Sequence, residues 1–384
     1  MLRIAVVVSH PIQYYAPIFR ELAAHVDLKV FYTQQATGEK LATGGFGMPY
    51  LWDVDLLSGY EYRYLTNIAR TPDLAAFWGS DTPDIGSELK CGHFDVVLVF
   101  GWYLKSLMQA IIAAKQQRLP LMVRGDSHLM SPRSILTRVT KAMVYPSFLR
   151  LFDAALYVGR YSRQYYEHYR YPDSRLFFSP HCVDNAWFES RATGAARSEL
   201  RGALGIGAHE KVALFAGKLV PFKRPIDLVE AVAKLNIDRR VHVMIAGSGV
   251  LESAIRVRAS ALGVSLHMLG FQNQSQMPRA YAAADALVLS STSRETWGLV
   301  ANEALACGLP IVVSDAVGCA PDLAGDGVAG AIAPIGDIDS LSQTIARVLV
   351  APPAPAAMRR RSREYSVERA VSGICEAAEF VCGR

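Results

Sequence analysis

Apolar runs of strand length recur along the chain, and between many of them apolar positions return every third or fourth residue, the helical spacing. In the first half such runs cover 3–8, 28–32, 94–100, 120–124, 153–158 and 176–179, with helical patterns at 17–25, 104–116 and 161–169. A second series follows, with strands expected at 212–216, 241–246, 265–269, 286–289, 310–313 and 329–333. Near-continuous apolar strands alternating with helices imply parallel sheets covered on both faces. The expectation is an α/β protein wound twice. Between the two series, 183–205 is loose, small-residue and charged, and reads as a linker. A second break at 351–357, rich in Pro and Ala, precedes a last helical stretch at 366–381. The domains expected are therefore 1–185 and 206–365, followed by the segment 366–384.

One segment breaks the rhythm. Residues 33–92 are rich in Gly and aromatics (Gly44, Gly45, Phe46, Tyr50, Trp52, Tyr60, Tyr62, Tyr64, Trp78) and only partly periodic. Insertions this long inside a domain are usually functional or disordered, and the aromatic content argues against disorder. The segment reads as a wall for an acceptor, a structural flap or an edge hairpin.

Composition narrows the class. The 384 residues suit two domains. With 51% hydrophobic and 20% charged residues, the chain is globular rather than disordered. The balance of 40 basic and 35 acidic residues, net +5, is too mild to argue for nucleic acid. Cysteines 91, 182, 307, 319, 375 and 382 form no CxxC pair and read as reduced core thiols of a cytoplasmic protein. The first apolar run is short for a signal peptide and breaks into His10 and Pro11, and no stretch approaches the ~20 apolar residues of a membrane span. Any membrane contact is expected to be peripheral, at the inner face.

The chemistry gathers around 293–310, Ser-Arg-Glu-Thr-Trp-Gly-Leu-Val-Ala-Asn-Glu-Ala-Leu-Ala-Cys-Gly-Leu-Pro. An apolar strand precedes this stretch and another follows it. Glu295 falls in the loop and Glu303 in the helix, so both carboxylates can line a cleft at the strand's carboxyl end, where open parallel sheets bind ligands. Gly298 lets backbone approach a ligand, and Gly308 with Pro310 stops the helix. Upstream, Gly217 permits a tight turn, and Lys218 and Lys223 bring two ammonium groups to the mouth of a helix that begins near 225. That is either a diphosphate cradle or a loop with two solvated lysines. Gly247 and Gly249 follow the next strand, a weak signal alone.

As an ordered series, Gly-Lys-x4-Lys, Ala-Gly-x-Gly, Leu269-Gly-Phe and Glu295-x7-Glu303 resemble the GT-B glycosyltransferases of the large retaining family 4 group. The resemblance is strong over about 211–335 and thin before. It implies the GT-B fold, two Rossmann-like domains facing across a central cleft, with 366–384 a candidate to cross back to the first domain. It implies that Gly217, Lys218 and Lys223 hold the donor's diphosphate, with lysine at 218 where the family more often has arginine and its bidentate fork. Glu303 would accept from ribose hydroxyls and Glu295 from hydroxyls of the donor sugar. Amides of Gly298, Leu299 and Val300 would meet the phosphates, Gly270 and Phe271 would lie against the base, and Gly247 would belong to the same donor site. The implied activity is metal-independent transfer, with retained configuration, from a nucleotide-sugar to a glycan or lipid-linked acceptor, as in surface polysaccharide biosynthesis. A nucleotide-sugar 2-epimerase, a small-molecule acceptor and a non-catalytic binding scaffold are the alternatives. No metal or other cofactor is expected; Asp53 and Asp55 have a metal-binding spacing but fall in the 33–92 insertion.

The first-domain wall is fainter. Asp126 and His128 follow a strand directly and are the candidates to reach the reacting sugar, as in the family; Asp126 as a helix cap beside a solvated His128 is the other reading. His10 and Gln13, in the loop after the first strand, are placed to meet the acceptor, and Trp102 points into the same crevice to stack on a sugar, although an aromatic there is more often core. Over 132–150, Arg133, Arg138, Lys141 and Arg150 interleave with Ile135, Leu136, Val139, Met143 and Phe148 without one acid. Such a helix either lies on an anionic membrane or packs with a solvated basic face. A second basic run, Arg359, Arg360, Arg361 and Arg363, reads as solvated.

Overall fold

In a computed structural model of the chain, which describes residues 1–35, 49–237 and 240–383, the two series of apolar runs become two parallel sheets. The first holds β1 Arg3–Val8, β2 Asp27–Tyr32, β3 Glu61–Tyr64, β4 Val96–Phe100, β5 Leu121–Gly125, β6 Ala154–Tyr157 and β7 Leu176–Phe178, in the order β3-β2-β1-β4-β5-β6-β7. The second holds β8 Lys211–Ala216, β9 Val241–Ala246, β10 Ser265–Gly270, β11 Ala286–Leu289, β12 Ile311–Ser314 and β13 Gly330–Ala333, in the order β10-β9-β8-β11-β12-β13. In each sheet the order reverses beside the first strand, at β1/β4 and at β8/β11, and a crevice opens at the carboxyl ends of those strands. Val6 pairs with Val30 on one side and Leu98 on the other, and helices cover both faces, so β1 and β4 are buried almost throughout. That is why these strands read as continuous rather than alternating apolar runs.

β3 is the strand that periodicity misses. It runs parallel to β2 at the sheet edge, Lys29 opposite Glu61 and Tyr32 opposite Tyr64, so the insertion forms an edge strand rather than an edge hairpin. Glu61, Tyr62 and Arg63 are exposed, and an edge strand with one wet face needs no apolar run. Gly44, Gly45 and Phe46 lie outside the described residues.

The expected linker at 183–205 is instead two helices, Asn185–Arg191 and Gly194–Ala203, capped by Asp184 and Thr193. Arg197 donates to the carbonyls of Ala282 and Ala284, Arg201 to that of Ala283, and both pair with Asp285, so the second helix is fastened to the second domain. Its exposed, charged outer face made it look like a linker. The run 359–363 is likewise only partly solvated: Arg361 is buried, bonded to the Asp322 carbonyl and paired with Asp326 and Glu364. The last helix, Val367–Cys382, lays Val371, Ile374 and Ala378 into the first domain's core beside Val6, Leu98 and Leu156. Its Gly373 is required by contact, since a Cβ there would lie 2.0 Å from the Phe178 carbonyl oxygen. Among the cysteines, Cys182 and Cys319 are buried but Cys91 is exposed, so not every thiol is a core thiol.

Candidate active site

Three adjoining cavities run through the cleft between the sheets. The first-domain cavity is lined by Ser9, Tyr15, Trp102, Tyr103, Asp126 and His181, among others. A central cavity of about 410 Å3 lies between the domains, with Lys218, Lys223, Glu295, Thr296, Gly298, Leu299 and Val300 on one side and Tyr14, Tyr50 and Trp52 on the other; that volume suits a small-molecule substrate. A third opens from it toward Gly247, Gln272, Gln274, Met277 and Glu303. Asp126 and His181 line both the first and the central cavity, while Gln13, Tyr14, Trp52, Gly217 and Val300 line both the central and the third. The cavities therefore adjoin one another through shared walls.

The second-domain wall is built by backbone turns. The loop after β8 carries Gly217 and Lys218 and closes through the short turn Pro221–Lys223 into the helix Pro225–Ala233. It is locked to the loop after β9, Leu219 N–H donating to the Ser248 carbonyl at 2.9 Å and Leu251 N–H to the Leu219 carbonyl at 3.0 Å. A Cβ on Gly247 would sit 1.8 Å from the Gly217 carbonyl oxygen. This glycine thus serves chain-to-chain approach in the first place. Gly298 has φ +97°, and a Cβ on it would press to 2.6 Å from a Leu289 methyl, so here both backbone conformation and packing demand glycine.

Lys223 pairs with Glu295, and both side chains are mostly buried, 12% and 16% exposed. Ser291 donates to the same carboxylate at 3.2 Å. Burial, and secondarily the neighbouring Lys223, lowers the Lys218 pKa, while Glu295 opposes the shift. Two ammonium groups and one carboxylate so close leave a local excess of positive charge, suited to an anion.

Glu303 is the most deeply buried acid of the site, at 4% exposure. Its two oxygens accept from Tyr14 of the first domain, at 2.8 Å, and from Tyr281. Burial pushes its pKa up to about 7 against the pull of those two hydroxyls. The neighbouring motif residues act internally. Trp297 donates its indole N–H to Asn302 at 2.8 Å, and Asn302 in turn donates to the His181 carbonyl at 3.2 Å.

On the first-domain side, Asp126 receives a hydrogen bond from Thr296 across the cleft at 2.8 Å, and His181 Nε2 stands 3.8 Å away. Desolvation at the cleft floor would raise the Asp126 pKa, but the His181 and Thr296 contacts outweigh it and hold the carboxyl well below the usual range. Burial lowers the His181 pKa, and Asp126 partly restores it.

The structure thus brings together Asp126, Gly217, Lys218, Lys223, Glu295, Gly298, Leu299 and Val300, with Gly247 and Glu303 at the third cavity. It does not bring His128 with them: its ring is 1% exposed, outside these cavities, and neither nitrogen finds a hydrogen-bond partner among the described residues. Of the two candidates expected after β5, Asp126 lines the cleft, and the imidazole beside it is that of His181. Sequence reasoning passed over His181, although it obeys the same rule by following β7. Gly270 and Phe271 stand beside the third cavity, which Gln272 and Gln274 line instead; the Phe271 ring packs against Tyr50 at 4.9 Å. Gln13 faces the central and third cavities, and His10 bonds Ser9 at 2.9 Å, burial bringing its pKa down to about 4. Trp102 lines the first-domain cavity and also packs against Phe148 and Phe152.

The insertion reaches across the cleft to the second domain. Asn273 donates to the Leu51 carbonyl at 2.7 Å, and Ser275 N–H to Asp53 at 3.1 Å, fastening 50–53 across the cleft to the second domain. Trp52 and Tyr50 are thereby held over the central cavity. Asp53 is engaged there and Asp55 bonds Ser58 and the Leu57 amide, so the pair shares no pocket.

A two-domain parallel α/β molecule with its polar groups gathered in the interdomain cleft defines the GT-B class. Its fold resembles a glycosyltransferase from Rickettsia africae, with TM-score 0.76 and 13% identity over 99% of this chain and 98% of that one. It also resembles Anabaena Alr3699/HepE, solved with UDP and glucose, with TM-score 0.73 and 19% identity over 99% and 100%. Residues 196–365 match the model of the family of glycosyl transferases group 1. Curated relatives include the D-inositol 3-phosphate glycosyltransferases of Mycolicibacterium smegmatis, 38% identical over 183 residues (46% of this chain, 41% of the relative), and of Saccharomonospora viridis, 33% identical over 231 residues (57% and 48%). The matched segment spans under half the length of these relatives.

Proposed function

We propose that the protein transfers a sugar from a nucleoside-diphosphate sugar to an acceptor hydroxyl with retained configuration. The observation that carries the reading is the central cavity, lined by the Lys218, Lys223 and Glu295 cluster from one domain and by Asp126 and His181 from the other. The nucleoside lies toward Glu303 and Trp52, the diphosphate against Lys218, Lys223 and the amides of 298–300, and the sugar near Glu295, Asp126 and His181. As the bond from the anomeric carbon to the diphosphate breaks, negative charge grows on the phosphate oxygens, and fixed ammonium groups stabilise it. The acceptor oxygen bonds to the anomeric carbon from the same face, and its proton passes to the departing phosphate oxygen. Asp126 and Glu295 hold sugar hydroxyls in place. The lysines supply the charge that a metal would otherwise bring, so transfer proceeds without a divalent ion.

For the acceptor, a glycan or lipid-linked glycan of surface polysaccharide assembly is the first reading. A small-molecule acceptor is the second, favoured by what the inositol phosphate relatives are named for. A thermal-shift panel of UDP, GDP, ADP and dTDP sugars tests the donor site, because a ligand stabilises the state that binds it. A shift with one nucleotide and its retention under chelator are expected; no shift with any of the four overturns the reading. Incubation with the recognised nucleotide-sugar alone must leave the sugar unepimerised, since a 2-epimerase would convert it without acceptor.

A further inference from the structure

The helix Ile135–Leu149 is attached to the first domain along one side. Tyr145, Phe148 and Leu149 pack around Trp102, Phe152 and Tyr165, and Lys141 donates to the Tyr165 hydroxyl at 3.1 Å. On the opposite side Ile135, Leu136, Val139 and Met143 are 80%, 78%, 49% and 70% exposed. At helical spacing these four fall within an arc of about 100°. Leu129 and Leu151, 46% and 41% exposed, extend the apolar surface beyond both ends of the helix. A helix that only covers its own core shows polar residues on that arc, so this face is built for something else.

Charge says what. From 127 to 152 the chain has Arg133, Arg138, Lys141 and Arg150 and neither Asp nor Glu. We propose that this face docks on an anionic lipid surface, with the apolar arc entering the headgroup boundary and Arg133, Arg138 and Arg150 meeting lipid phosphates. A second copy of the chain is a poorer occupant, because a two-fold contact would set the same arginines against each other. Among the described residues no helix is long and apolar enough to cross a membrane, so the contact is peripheral. The inner face of the helix touches the site: Trp102 donates to the Tyr145 hydroxyl at 3.3 Å and lines the first-domain cavity. Docking therefore brings that cavity beside the lipid and selects a lipid-linked acceptor, a step that rests on the glycosyl-transfer reading.

The test is sedimentation of the full chain with vesicles of phosphatidylcholine alone and of phosphatidylcholine with phosphatidylglycerol. Binding to the anionic vesicles only is expected, weakening as salt rises. Arg133→Ser and Arg138→Ser should each lower the partition coefficient about fivefold, and Leu136→Glu with Met143→Glu should abolish binding. The same variants should keep the wild-type thermal shift with the recognised nucleotide, which shows that fold and donor site are intact. Equal binding to both vesicle types, no binding to either, or wild-type binding by the Leu136→Glu, Met143→Glu protein overturns the proposal. So does a concentration-dependent dimer that those substitutions dissolve. Vesicle binding without any nucleotide shift would instead overturn the functional reading and leave the docking surface standing.

Discussion

Glu303 makes the stability of the protein depend on pH in an unusual direction. Its pKa rises from an ordinary 4.5 to about 7 on folding because burial disfavours the charged form. Between those values the folded chain holds a proton that the unfolded chain has released, so stability falls as pH rises through the window and the penalty is complete above pH 7. The shift of 7 minus 4.5 units, at 1.36 kcal/mol per unit, is a cost of about 3 kcal/mol. Glu303→Gln keeps the size and an acceptor oxygen for Tyr14 or Tyr281 but cannot ionise. Urea denaturation at pH 4.5 and pH 8 should therefore show wild type losing about 3 kcal/mol more than the variant. Asp322, raised by burial to about 6, and His10, lowered by burial to about 4, titrate in the same range in both proteins and cancel in the difference. Tyr14→Phe removes one of the two hydrogen bonds that hold the Glu303 pKa down, and should steepen the loss. If the Gln variant loses as much stability with rising pH as wild type, Glu303 does not carry the buried proton.

Lys223→Ala should reduce turnover by about 10²- to 10³-fold, the usual effect of losing one group that stabilises developing charge; steady-state kinetics with the recognised donor would show it, and full activity would remove Lys223 from the chemistry. Trp52→Ala should weaken nucleotide binding by about 1–3 kcal/mol if the indole stacks on the base, read by calorimetry, whereas unchanged affinity would leave Trp52 a cleft-bridging residue only. Asp126→Asn should keep nucleotide affinity and lose turnover, since the carboxylate lines the cavities where the proposed reading puts the donor sugar; a variant with normal turnover would displace Asp126 from the reacting centre. Gly247→Ala should destabilise the second domain by about 3 kcal/mol or more through overpacking, because its Cβ would lie 1.8 Å from the Gly217 carbonyl oxygen; a well-folded variant with unchanged urea midpoint would contradict that contact.

Much of this was legible in the linear pattern. β1, β9 and β11 occupy the stretches that apolar runs mark out, because strands buried on both faces must be apolar at successive positions. The exposed strand Glu61–Tyr64 and the helix Gly194–Ala203 were not legible, since their stability comes from one edge or from arginines reaching distant carbonyls. In the site, the lysine turn and Glu295 with Glu303 could be placed by motif. His128 and His181 could not be ranked: both follow strands, and only the packing of the loops decides that one ring is enclosed while the other faces the cleft.

What the sequence by itself determined was the two windings, the strand-to-helix turns and the residue types they carry, all of which depend on neighbours within a few tens of residues. Tertiary structure alone decided which groups meet across the cleft. Tyr14 with Glu303, Thr296 with Asp126, and Asp53 with Ser275 are separated by 289, 170 and 222 positions. No periodicity or short motif encodes such pairs, because they arise from how two independently wound sheets are set against each other, and that setting is where the chemistry is assembled.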